Sequence, residues 1–225
     1  SVDTVSITGK RIFIGGKQEM FKGTPELVAQ RREEIINACE KLYQTMSFKE
    51  ITLKDIGNVT TFSRPTIYNY FETKEEIFLA LYEREYHRWN DALQHIMEDF
   101  EHLSRQELAE KIAHSLEERI QLLKLLSMNN YDMEANSRPE LLISFKKAYG
   151  RSKELVAALL QKYCPDMDDA GIKGFIYTFF PFMFGIYPYA MVTEKQKNAM
   201  KDAGIDYAFY SLYELSYHCL IKLMQ

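Results

Sequence analysis

Residues 52–78, TLKDIGNVTTFSRPTIYNYFETKEEIF, restrict the fold more than any other stretch of the chain. They read as a short helix, a tight turn, a second short helix and the start of a third. Thr52 can cap a helix over residues 53–60, because a threonine hydroxyl accepts one of the backbone N–H groups that a helix start leaves unpaired. Thr60, Thr61 and Phe62 make the turn. Ser63 caps the next helix, and Pro65 falls in its first turn, where a missing N–H costs nothing. This helix keeps Ile67 and Phe71 apolar on adjacent turns and carries Arg64, Thr66, Tyr68, Asn69 and Tyr70 around them. A short helix that buries one narrow stripe and displays hydrogen-bonding tips on the rest suits insertion into a DNA major groove. Glu72 separates it from the following helix. Thr73 and Glu76 have capping-box spacing: the Thr73 hydroxyl would take the Glu76 N–H, and the Glu76 carboxylate would return the bond to Thr73.

The remaining numbers allow this reading and exclude others. The 225 residues suffice for one compound domain or two small ones with a buried core. With 10 Gly and 6 Pro, long helices are favoured. The net charge of −4 is not that of a generally DNA-sticky protein. Between residues 20 and 75, however, Lys and Arg number eight and Asp and Glu also eight, so the acid excess lies mainly in the rest of the chain. A neutral head on an acidic body limits non-specific affinity, which is largely electrostatic. No apolar stretch approaches the ~20 residues that span a bilayer, and no secretory signal opens the chain. Cys39, Cys164 and Cys219 are odd in number, far apart and set among apolar neighbours, as expected of reduced, buried thiols in a cytoplasmic protein.

Helical spacing organises the rest. Residues 1–19 are strand-like and Gly-containing, which predicts a leader left from expression or, alternatively, a disordered or β-forming arm. Met20 looks like a natural start, and Gly15, Gly16 and Lys17 lack the P-loop pattern. Residues 26–46 form the first helix. A long fourth helix keeps Phe78, Tyr82, Tyr86, Trp89, Leu93, Met97 and Phe100 on one face over about six turns. Leu108, Ile112, Leu116, Ile120 and Leu123 mark a fifth, and residues 128–137 are loop with a short helix. Another helix opens at Arg138, Pro139 and Glu140 and stops at Cys164 and Pro165. Residues 168–187, with a kink expected at Pro181, and residues 206–224 are the last two helices. Tyr210, Tyr213, Tyr217, Leu220 and Met224 give the latter a packing seam. The domain division is therefore residues 20–72 for the reading head and 73–225 for the body, in an all-α fold.

At residues 52–78 the chain resembles the TetR/AcrR family of bacterial transcriptional regulators. The resemblance is carried by Thr52, Ile56 and Gly57, Ser63, then Thr66 to Phe71 as Thr-Ile-Tyr-Asn-Tyr-Phe, then Lys74-Glu75-Glu76-Ile77-Phe78, without insertion. Two positions depart from the family pattern. Thr60 and Thr61 stand where Ala-Gly is common, which predicts a wider or rotated turn, and Pro65 stands where glycine is common. The resemblance implies a homodimer joined through the last two helices, an operator-reading head and an effector pocket in the body. It also implies release of DNA when a small-molecule effector tilts the fourth helix.

On a helical wheel Ile67 and Phe71 point inward; Pro65, Thr66 and Asn69 point away, with Tyr68 and Tyr70 on the flanks. The DNA-contact candidates are Thr52, Thr61, Ser63, Arg64, Pro65, Thr66, Tyr68, Asn69, Tyr70 and Lys74. Thr66 suits a phosphate or a thymine methyl, Asn69 adenine or phosphate, Arg64 guanine or phosphate, and the two tyrosines phosphate. Lys74 would add its charge to the fourth helix's N-terminus at one phosphate. The plainer alternative, an ordinary surface helix, is outweighed by the preceding helix, the turn and the cap. Trp89, Met97, Phe100, Met128, Tyr131, Phe145 and Tyr149 are the candidates for an apolar effector pocket, although each taken singly is an ordinary core residue. Phe179, Phe180, Tyr213 and Tyr217 are assigned to dimer core instead. The five histidines lack metal-ligand spacing, no order of Ser, His and Asp or of Cys and His suggests nucleophilic catalysis, and no cofactor is implied. The expected function is a ligand-responsive DNA-binding regulator, a repressor released by a small, largely apolar effector. The alternatives are an architectural or partner-recruiting DNA-binding protein and, more remotely, an α-helical enzyme.

Overall fold

The computed structural model describes residues 24–128 and 130–225; the leader or arm expected over residues 1–19 lies outside them. Among the described residues there are eleven α-helices and no strand. The head comprises α1 (Pro25–Tyr43), α2 (Leu53–Val59) and α3 (Arg64–Tyr68). The long α4 (Lys74–Asp99) leads into the body: α5 (Arg105–Glu117), α6 (Ile120–Leu126), α7 (Asn130–Ala135), α8 (Pro139–Tyr163), α9 (Asp169–Ala190), α10 (Glu194–Asp202) and α11 (Leu212–Leu223).

Several boundaries differ from the expected ones for identifiable reasons. The third head helix was expected to reach Phe71, but α3 ends at Tyr68 with Asn69 as its C-cap. Its last turn is tight: the Asn69 N–H donates to the Thr66 carbonyl and the Tyr70 N–H to the Ile67 carbonyl. The expected fifth helix breaks at Glu118 and Arg119, so that α5 packs on α11 while α6, with four buried leucines, packs on α9 and α4. Residues 206–210 are not helical; α11 starts only after Ser211, whose capping box with Glu214 is complete at 2.7 and 3.1 Å. The extra α10 is bounded by a Thr193–Gln196 capping box. Its other end is a glycine-based stop at Gly204 (φ 68), where the Ile205 N–H reaches back to the Met200 carbonyl. α9 runs as one helix through Pro181 and Pro188.

The core is organised along α4, which α8 flanks for most of its length, and three polar clamps hold the pair. At the near end Arg138 grips Glu76. In the middle the buried Asn90 donates to the Ala148 carbonyl at 3.0 Å and accepts from the Ser152 hydroxyl at 2.6 Å. At the far end Lys162 and Tyr163 donate to the Phe100 carbonyl, which the last turn of α4 leaves without a helical partner. Phe179 and Phe180, expected in a dimer interface, are buried at 0% and 2% exposure inside this single chain. The apolar groups left on the outside of α9 are Tyr177, Phe184 and Tyr189. Tyr213 and Tyr217 are half-buried, Tyr213 stacking on His114 at 4.3 Å.

Candidate nucleic-acid interface and effector cleft

Short-range hydrogen bonds shape the head's outer face. Thr52 and Asp55 form a reciprocal cap that starts α2. Gly57 allows α2 to approach the next segment, since a Cβ there would stand 3.3 Å from the Phe62 carbonyl oxygen. The turn uses no left-handed residue. Thr60 is extended (φ −97, ψ 172), its hydroxyl donates to the Gly57 carbonyl and accepts the Phe62 N–H, and Thr61 donates through N–H and hydroxyl to Glu34 on α1. The two threonines thus replace a glycine's backbone freedom with side-chain bridges. Ser63 caps α3 by accepting the Thr66 N–H.

Behind α3, Ile67 and Phe71 are fully buried. In front, Thr61, Ser63, Arg64, Pro65, Tyr68 and Asn69 are exposed and Thr66 is half-buried; Thr52, at the start of α2, is exposed as well. Arg64 donates to the Tyr68 hydroxyl at 3.0 Å, which joins the face's one α3 cation to its largest phenol. This is a compact donor surface of the size a groove admits.

Three expectations for this region are corrected. Tyr70 is only 7% exposed, with its hydroxyl accepting from Arg31. The tight last turn explains this, because residues three apart eclipse each other in 3₁₀ geometry and Tyr70 follows Ile67 inward. Lys74 does not stand free at the start of α4: its ammonium donates to the Phe48 carbonyl at 2.7 Å and lies 4.1 Å from that ring's centre. The Thr73–Glu76 box is half made. Thr73 accepts the Glu76 N–H, but the Glu76 carboxylate accepts from the Glu72 N–H and from Arg138 rather than from Thr73. Hydrogen bonding to Glu76 raises the Arg138 guanidinium above its ordinary value, whereas burial, aided by the nearby Arg138 charge, lowers that of Arg32.

In the body a cleft of ≈ 470 Å³ opens between α4, α7, α8 and α9. Tyr82 and Tyr86 of α4 stack at 5.2 Å; Phe145 packs against both, and Tyr149 meets Tyr86 edge-on at 5.6 Å. Met128, Tyr131 and Phe184 complete the apolar lining, and a Glu134–Lys146 ion pair of 2.6 Å supplies charge at its edge. Burial pushes the Tyr86 phenol well above the ordinary tyrosine value and the Tyr149 phenol upward as well, so both present neutral hydroxyls. Of the seven pocket candidates, Met128, Tyr131, Phe145 and Tyr149 converge here. Trp89 is instead fully buried, donating to the Ser115 hydroxyl at 3.0 Å. Met97 and Phe100 belong to the far end of α4, about 27 Å along the helix from Tyr82 to Phe100 at ~1.5 Å per residue. The apolar stripe of α4 is simply longer than the cleft. Tyr82 and Tyr86 were readable as that stripe but not as a wall; Glu134, Lys146 and Phe184 left no sequence signal of their role.

Among the described residues no three of the His, Cys, Asp and Glu side chains gather as a metal site, and no single helix is long and apolar enough to cross a membrane. The family model for bacterial regulatory proteins of the tetR family matches residues 35–81, and the tetracyclin repressor-like C-terminal domain matches residues 83–220. No curated protein matches the chain. Among solved structures, a tetR-family transcriptional regulator from Streptomyces coelicolor is 12% identical over 87% of this chain and 79% of its own, with a TM-score of 0.59. The fatty acid degradation regulator FadR from Bacillus halodurans is 16% identical over 91% and 97%, with a TM-score of 0.56. FadR from Thermus thermophilus, a TetR-family repressor solved in complex with lauroyl-CoA, is 20% identical over 86% and 93%, also at 0.56. At these identities the likeness is one of fold, whereas the two sequence models together span most of the head and most of the body. The chain belongs to the TetR family of bacterial transcriptional regulators.

Proposed function

We propose that this protein is a cytoplasmic, homodimeric repressor that leaves its operator when a largely apolar small molecule enters the body cleft. The observation that carries the reading is the position of the cleft on α4: Tyr82 and Tyr86 line it on the helix whose first turn follows directly from the DNA-reading α3. A molecule wedged between α4 and α8 therefore pushes on the lever that aims the head. The dimer is assigned to α9 and α11, supported by the exposed Tyr177 and Tyr189 on the outside of α9 and by Phe209 and Tyr210 just before α11. Thr61, Ser63, Arg64, Thr66, Tyr68 and Asn69 are assigned to DNA, with Thr52 at the edge of the contact.

The cleft's ≈ 470 Å³ lies within the ~300–1,000 Å³ usual for small-molecule sites. Its aromatic walls suit an apolar body, and the Glu134–Lys146 pair at its edge suits a polar end. Because the Thermus thermophilus neighbour holds lauroyl-CoA, that thioester is the first probe to use. The experiment is a fluorescence-anisotropy titration of an operator duplex, selected from a random pool by this protein, with and without lauroyl-CoA. Release by about tenfold or more, absent in Tyr149→Ala, supports the reading. A probe that binds the cleft and leaves operator affinity unchanged overturns it.

A further inference from the structure

The joint between head and body contains a side chain that neither DNA contact nor cleft lining accounts for. Arg138, the residue before α8, donates through Nε to Glu76 Oε1 at 2.7 Å and through Nη2 to Glu76 Oε2 at 2.9 Å; its own N–H adds a third bond to Oε1 at 3.1 Å. Glu76 is 1% exposed, and its carboxylate also accepts the Glu72 N–H at 2.7 Å. Arg138 Nη2 reaches the Tyr70 carbonyl as well, at 3.3 Å, an oxygen shared with Arg32 of α1 at 3.1 Å. One planar guanidinium from the body thus touches the segment that leaves α3 and the first turn of α4 together. Next to it, the Thr73 hydroxyl donates to the Asn136 carbonyl at 3.0 Å.

The same short stretch of chain reaches the cleft. Asn136, Ser137 and Arg138 directly follow α7, which puts Tyr131 and Glu134 on the cleft wall and is tied to α8 by Glu134–Lys146. A molecule that displaces α7 or opens that ion pair pulls on Arg138. We propose that Arg138 is the positioning residue through which the state of the cleft is felt at α3. While it spans Glu76 and the Tyr70 carbonyl, α3 is held at the angle to α4 that DNA requires; when α7 shifts, that hold loosens. This rests on the effector reading of the cleft, but its test needs no effector.

The test is a cycle of operator affinities for Arg138→Lys, Lys146→Glu and their combination, measured at one salt concentration on the selected duplex. Arg138→Lys keeps a cation beside the buried Glu76 but loses the fork that also reaches Tyr70. Lys146→Glu sets like charges between α7 and α8. Each single change is expected to weaken binding about fivefold, and the combination no more than Arg138→Lys alone, because both act through one joint. Losses that multiply, or either single variant binding like wild type, overturn the proposal. Circular dichroism melting separates unfolding from loss of aim: a merely structural Arg138 would lower the midpoint and leave the Lys146→Glu effect intact. If Arg138→Lys fails to fold, Glu76→Gln/Arg138→Gln, which removes both buried charges, takes its place under the same criteria. A non-additive cycle, with lauroyl-CoA bound in the cleft and no release, leaves Arg138 standing and removes the effector assignment. An additive cycle with release does the opposite.

Discussion

The reading face and the cleft are built in opposite ways. The reading face is drawn chiefly from residues 61–69, and the caps that shape it, Thr52–Asp55, Thr60–Gly57 and Ser63–Thr66, each span three residues. The cleft draws its walls from residues 82–184, on four helices and the segment before α7, and no two of its walls are joined by a local motif. The contrast teaches that the head's surface is set by hydrogen bonds between near neighbours, whereas the cleft is what long helices leave between them when they pack. Away from the Arg138 joint, substitutions should therefore divide. Those in the head should alter DNA affinity with little effect on the body, and those on α4 and α8 should alter the body's stability first.

The largest expected effect is Phe71→Ala. This ring is fully buried behind α3 with Arg32 4.4 Å above it, and emptying such a site costs about 3–5 kcal/mol. Operator binding should vanish while the body's unfolding transition survives; a single shared transition that drops by that amount would break the division into head and body. Next is Asn90→Ala, which removes both bonds by which this side chain ties α4 to α8 and leaves the Ser152 hydroxyl only its 3.3 Å bond to the Ala148 carbonyl. It should cost about 1–3 kcal/mol in urea unfolding without weakening DNA contacts directly.

How much of this was legible in the sequence follows from the same contrast. Thr52, Ser63, Ile67 and the spacing through Phe78 gave the head almost residue by residue, because caps and a narrow apolar stripe are local. Tyr70 was misplaced because an ideal wheel assumes 3.6 residues per turn, and the end of α3 is tighter. The partner of the Lys74 ammonium went unread because nothing near it in sequence announces the Phe48 carbonyl. In the body, periodicity found α4 and α8 but could not tell which part of the α4 stripe faces an opening. Trp89 and Phe145 look alike in sequence; only the packing of α5 and α9 against α4 encloses the first and leaves the second at a cleft. The missed α10 was readable after all, from Thr193–Gln196 at one end and Gly204 at the other.

Two smaller effects sharpen the comparison. Lys74→Ala should lower stability by about 1 kcal/mol, through loss of the Phe48 bond, and leave the salt dependence of operator binding unchanged. A flatter salt slope would return Lys74 to the DNA surface. The smallest effect concerns the thiols. Burial raises Cys39, Cys164 and Cys219, the last from 9.0 to about 11. A group whose folded pKa is raised stabilises the fold below its unfolded value and loses that contribution as pH rises toward the folded one. Urea stability should therefore be insensitive to these thiols up to about pH 9 and fall above it; Cys219→Ser, which cannot ionise there, should reduce the fall.

The most direct test of the central claim, that the outward flank of α3 meets the bases and phosphates, is the operator affinity of Tyr68→Ala at fixed salt. Tyr68 is 42% exposed, and its hydroxyl accepts a bond from Arg64 on the same face and, among the described residues, from no other side chain, so its removal should leave the fold and dimer intact. The account predicts a loss of about tenfold or more with an unchanged melting midpoint. Wild-type affinity from a folded, dimeric Tyr68→Ala protein would contradict it.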